Sequence, residues 1–115
     1  MNQLNTDSDI SRIIEDLEKE FPFEGYMSYQ YAPYQTIYDV VSEHLQTGQR
    51  LFDFGSGPCD KTAIAQSLGI QCTACDDFSD AWYLRDDNLQ KIKRFASSQG
   101  IEVIEQLPDL SLIHI

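Results

Sequence analysis

Apolar residues recur at helical spacing in three stretches of the chain. Ile10, Ile13, Ile14, Leu17 and Phe21 form the first stripe, and Tyr34, Ile37, Tyr38, Val41 and Leu45 the second. Leu89, Ile92, Phe95 and Ala96 form the third. Side chains three and four positions apart share one face of a helix, so each stripe predicts a helix with one buried side. The flanking residues set expected boundaries. Asp7, Ser8 or Asp9 can cap the first helix, and Pro22 stops it. Pro33 stands near the start of the second, with Gly48 just past its end. Asp86 and Asp87 precede the third, and Gly100 ends it. Glu24 to Tyr34, rich in Tyr and holding Gly25 and Pro33, reads as a loop.

After Gly48 the period changes. Leu51 to Phe54 predicts a strand, Asp60 to Leu68 a helix closed by Gly69, and Ile70 to Cys75 a second strand. Asp76 to Asp87 is polar and acidic and reads mostly as loop. Ile101 to Ile104 predicts a third strand, Leu107 to Asp109 a turn, and Leu110 to Ile115 the start of a fourth strand. Strand, helix, strand, helix, strand implies an α/β chain with a parallel sheet and flanking helices, preceded by two N-terminal helices. The expected division is residues 1–48, the N-terminal helices and the Tyr-rich segment, and residues 49–115, the sheet-bearing part. Ligands of such sheets bind at the carboxyl ends of the strands, where the loops after Phe54 and after Cys75 both lie.

Charge narrows the choice of partner. Nineteen acids against eight Lys plus Arg give a formal net charge of −11, which repels phosphate backbones and anionic membranes. Lys91, Lys93 and Arg94 are the one cationic cluster, and they read as cations near a helix C-terminus, meeting its dipole. The polar, acidic start from Met1 to Asp9 has neither a secretory nor a mitochondrial pattern, and no apolar run reaches membrane-span length. Cys59, Cys72 and Cys75 form an odd set without an export signal, which fits a cytoplasmic chain.

The densest chemistry lies in Leu51 to Cys59. Glycine accepts positive φ and lets a ligand approach the backbone without a Cβ in the way. Gly55 and Gly57 directly follow a strand and precede a helix whose first N–H groups have no internal acceptor. Asp76 ends the second strand 23 residues after Asp53, far enough for a helix and a strand to bring the chain back beside its start. A carboxylate there can accept hydrogen bonds from two ribose hydroxyls. The bland alternative is that Asp76 and Asp77 are solvated loop acids. Cys72 and Cys75 invite a redox or zinc reading, but residues three apart in a strand point to opposite faces, and buried, inert thiols fit better. Neither His44 nor His114 has the partner spacing of a metal site. Cys59 sits where a helix N-terminus would stabilise a thiolate, yet no base stands near it in sequence.

Asp53-Phe54-Gly55-Ser56-Gly57-Pro58-Cys59 resembles the first motif of class I S-adenosylmethionine-dependent methyltransferases, and Cys72-Thr73-Ala74-Cys75-Asp76 resembles their second strand with its terminal acid. The likeness covers about Tyr34 to Ile104 and departs from the pattern at Cys59, where the third glycine of the motif would stand. It implies a Rossmann-like fold of which this chain holds the first half, about three to four strands. It also implies S-adenosylmethionine as cofactor. Gly55 and Gly57 would line its methionine part, with Ser56 between them, and Asp53 would organise the loop and the methionine ammonium. Asp76 would hold the ribose, and Asp77 and Phe78 would border the adenine. Tyr26 would belong to an N-terminal segment that lids the cofactor, against the alternative of surface packing. Trp82, with Phe78 and Tyr83, would cover either the adenine site or the core. The resemblance implies a transferase that moves a methyl group to a small molecule, a glycan precursor or a protein. The chain is expected to be truncated before the acceptor pocket, so no catalytic residue is assigned and the fragment alone is expected to be inactive. Two alternatives stay open. One is an NAD(P)-binding half, although Asp60 stands where that fingerprint wants a third glycine and would oppose a pyrophosphate. The other is a non-catalytic interaction module of the same fold.

Overall fold

The computed structural model describes residues 3–21 and 31–106, so Tyr26 and the expected fourth strand lie outside the described residues. The chain is α/β, with four α-helices and a three-stranded parallel sheet. In order the elements are α1 (Gln3–Glu20), α2 (Tyr31–His44), β1 (Arg50–Phe54), α3 (Asp60–Ser67), β2 (Gln71–Cys75), a 3₁₀ turn (Ala81–Leu84), α4 (Asn88–Ser98) and β3 (Glu102–Ile104). The strand order is β1-β2-β3. Arg50 to Phe54 pair in register with Gln71 to Cys75, and Thr73 to Cys75 with Glu102 to Ile104.

Two helix starts and one loop differ from the sequence expectation. α1 starts at Gln3 and runs through the expected caps, since no Gly or Pro between Gln3 and Asp9 interrupts it. α2 starts at Tyr31, inside the expected loop. Pro33 then falls in its first turn, where a missing N–H costs no intrahelical bond. Within the expected loop after β2, Asp80 accepts the Trp82 N–H at 2.9 Å and starts the 3₁₀ turn that buries Trp82 and Tyr83.

The helices cover one face of the sheet. α1 contacts α2, α3 and α4, and its Ile10, Ile13 and Leu17 have no exposed surface. Each of these side chains contributes about 1.5–3 kcal/mol by burial. They share one core with Tyr34 and Tyr38 of α2, Ile64 of α3 and Phe95 of α4. Along β1 the alternation is plain: Leu51 and Asp53 are half-buried, while Arg50, Phe52 and Phe54 are exposed on the other face. The Phe52 and Phe54 rings stand 4.5 Å apart on that face.

The cationic cluster is consumed within the fold. Arg94 pairs with Glu20 of α1 at 2.9 Å, Lys93 with Glu105 at 3.2 Å, and the Lys91 ammonium lies 5.7 Å from the Phe21 ring centre. The two ion pairs are largely exposed and add little stability each, but together with the Lys91 contact they leave no organised basic patch there for a polyanion. No helix among the described residues is long and apolar enough to cross a membrane.

Gly69 closes α3 with φ at +82°, and a Cβ there would stand 2.8 Å from Thr47 Cγ2. Gly69→Ala should therefore lower the unfolding free energy by about 1–3 kcal/mol. Urea denaturation followed by circular dichroism measures it, and an unchanged midpoint would contradict the strain at this turn.

Candidate functional site

β1 and β2 end side by side, and their following turns meet. Gly55 (φ +70°) and Gly57 (φ +57°) carry the chain through a bend that residues with a Cβ rarely adopt. The Gly55 and Ser56 N–H groups donate to the Cys75 carbonyl at 2.8 and 3.2 Å, which folds the loop over the end of β2. Asp76 then joins the two turns. Its Oδ2 accepts the Gly57 N–H at 2.8 Å and its Oδ1 accepts the Phe78 N–H at 2.8 Å. Its own N–H donates to Ile104 of β3 at 3.2 Å. A carboxylate has about four lone-pair sites, so two acceptor positions remain on Asp76 after these bonds.

Two further carboxylates are held in place. Asp53 accepts a 2.6 Å bond from the Thr62 hydroxyl, which ties β1 to α3. Asp60, the first residue of α3, accepts a 2.8 Å bond from the Tyr34 hydroxyl of α2. Neither Thr62 nor the Tyr34–Asp60 pair was foreseen as part of a site. The available signals were slight: a polar Thr62 inside the apolar run Ala63-Ile64-Ala65, and a Tyr on a core stripe whose hydroxyl needs an acceptor.

A cavity of about 720 Å³ opens between α2, β1 and α3, within the usual range for small-ligand sites. Asp53, Gly55, Ser56 and Gly57 line it, as do Asp60 and Tyr34. Asp76, Asp77 and Phe78 do not; they stand on the β2 side of the loop. Asp77 is exposed and accepts the Ser79 N–H at 3.1 Å. Phe78 is buried, with its ring edge-on to Tyr83 at 5.2 Å. The Tyr83 hydroxyl lies 3.3 Å from where a Cβ on Gly57 would stand. Trp82, Tyr83 and Phe78 thus pack into the core beneath the loop.

The thiols are free and buried. Cys59 caps α3 in a left-handed conformation (φ +69°) and makes no side-chain cap bond. Burial, opposed by a bond to Ser56, pushes its thiol from 9.0 up to about 12, so the helix N-terminus does not make a thiolate here. Burial likewise raises Cys72 to about 11. Among the described residues no group of three or more His, Cys, Asp or Glu is arranged to hold a metal ion.

Compared with known proteins, the chain matches no family model, no curated protein and no solved structure.

The raised thiols fix a direction of pH dependence. Between 9 and 12 the unfolded chain releases the Cys59 proton while the folded chain keeps it, so stability is retained below pH 9 and falls as pH rises above it. Cys59→Ala should flatten this alkaline decline relative to the parent in urea titrations from pH 8 to 11. At pH 8, Cys59 and Cys72 should also resist a thiol-reactive dye until the chain is unfolded. Rapid labelling of both in the folded chain would contradict their burial.

Proposed function

We propose that the chain is the S-adenosylmethionine-binding part of a Rossmann-like class I methyltransferase. The observation that carries this reading is the bond from the Gly57 N–H to the Asp76 carboxylate, which brings the two crossover turns to one place at the carboxyl ends of adjacent parallel strands. In this reading the cofactor lies across the turns. The remaining lone pairs of Asp76 accept from the ribose hydroxyls, while Asp53, Gly55, Ser56 and Gly57 border the amino-acid end in the cavity. Asp77 and Phe78 flank the adenine in this proposal, with Asp77 exposed and Phe78 buried. Tyr26 is proposed to close over the methionine end. The sulfonium supplies the chemistry, and these residues supply orientation; none of them serves as an acid or a base. The acceptor in this proposal is a small molecule, a glycan precursor or a protein.

Position of charge separates this reading from a dinucleotide site. Asp60 sits on the first turn of α3, where a pyrophosphate would have to approach. Against a cofactor with a cationic end, the same carboxylate is favourable.

Calorimetry with S-adenosylmethionine and with NAD tests the proposal. The expected result is binding of the first alone. Gly57→Arg and Asp76→Ala should each weaken it by more than about tenfold, or 1.4 kcal/mol. Asp76→Asn, which keeps one acceptor oxygen, distinguishes loss of the ligand contact from loss of the loop. Binding of NAD alone supports the dinucleotide alternative, and binding of neither supports a non-catalytic module. Parent-like affinity in both Gly57→Arg and Asp76→Ala overturns the site.

A further inference from the structure

The sheet face opposite the helices is not uniformly bare. In-register pairing sets Phe54, Cys75 and Ile104 in one row across it, with Phe52, Thr73 and Glu102 in the row before. Phe54 is 52% exposed, yet Cys75 beside it is 1% exposed and belongs to neither buried cluster on the helix side. The chain leaving β3 contributes to that cover, because the Cys75 thiol donates to the Gln106 carbonyl at 3.7 Å. Just past Ile104 the backbone has therefore turned inward over this face, towards β2, and not outward past the edge of β3. The next strand on that heading is β1, with Phe54 and Phe52.

The sequence that follows has the composition such a face needs. Residues 110–115, which lie outside the described residues, read Leu-Ser-Leu-Ile-His-Ile and hold no Asp, Glu, Lys or Arg. They cannot join the sheet directly as a fourth parallel strand. A parallel crossover takes about a dozen residues or more, and only residues 105–109 intervene. A return across the open face needs far less. Residues 107–109 span about 10 Å when extended, twice the ~4.8 Å between neighbouring strands. A second copy fits the same face poorly. Strands of this length present an area on the order of 240 Å², well below the ~800 Å² that each partner buries in a stable interface. Each copy would also bring a net charge of −11 to the contact.

We propose that residues 110–115 fold back over the open face and cover Phe52 and Phe54 of their own chain. The turn at Gln106, held by the Cys75 thiol, sets the direction of the return, and the two aromatic rings are its landing surface. The assignment does not rest on the cofactor reading.

A photo-cross-linker in the intact chain tests it. With Phe54→p-benzoylphenylalanine, which keeps an aromatic ring at the position, irradiation should give cross-links within one chain, located by mass spectrometry in residues 110–115. Cross-links to a second copy, or none to residues 110–115, overturn the inference. Hydroxyl-radical labelling gives a second measurement. In the double variant Leu112→Asp, Ile113→Asp, labelling of Phe52 and Phe54 should rise severalfold over the parent, while Phe95 in the core stays protected. Unchanged labelling of Phe52 and Phe54 overturns the inference as well. If Phe95 is labelled too, the variant has lost its fold, and the cross-link, made in a chain with residues 110–115 intact, decides alone.

Discussion

One carboxylate holds the functional end of this fold together. Asp76 bonds a backbone N–H on each oxygen, one from the glycine loop and one from the turn after β2. The turns belong to different crossovers, and Asp76 adds to the bonds by which the Gly55 and Ser56 N–H groups tie the glycine loop to the Cys75 carbonyl. Charge-assisted bonds to backbone N–H groups are among the stronger hydrogen bonds available to a protein. Here they fix a bend that positive φ at Gly55 and Gly57 permits but does not by itself select. With the loop set, α3 starts where it can receive Tyr34 on Asp60, and Thr62 meets Asp53. The cavity wall follows from those two bonds.

Most of the helical and strand pattern was legible in the sequence because burial on one face leaves a periodic record. Ile10, Ile13 and Leu17 have no exposed surface, and Tyr34 and Tyr38 are buried as their stripe implied. The strands were legible for the same reason, and the glycines marked their ends. Local signals failed where tertiary contact decided the outcome. Nothing near Tyr31 announces a helix start; Pro33 marks one nearby, and the helix begins two residues earlier because a proline is harmless anywhere in a first turn. The 3₁₀ turn at Trp82 and Tyr83 lies in an acidic stretch with no periodicity, and it is the core beneath the glycine loop that draws these rings in.

Of the site, sequence order placed the loop after Phe54 beside Asp76, and the structure brings them to hydrogen-bond distance. Order along the chain could not say which side of the loop would open. That depends on α2, which reaches the site across 26 residues of sequence from Tyr34 to Asp60. The thiol at Cys59 shows the limit of reading a residue by position alone. A helix N-terminus favours a thiolate, but burial opposes it most strongly, and the nearby Asp53, Asp60 and Asp76 carboxylates oppose it further.

The sheet itself argues about what surrounds it. β1 carries Phe52 and Phe54 on the face opposite the helices, with 37% and 52% of their surfaces exposed. A parallel strand rich in apolar residues on both faces has the composition of a strand covered on both sides. It also lies at the edge of the described sheet, beside the cavity lined by Asp53 and the glycine loop. An edge strand built for water is blunted by charge, a bulge or proline. Arg50 is the one such feature on the exposed face of β1, and it sits at the end of the strand away from the loop. Near the loop the exposed face is aromatic.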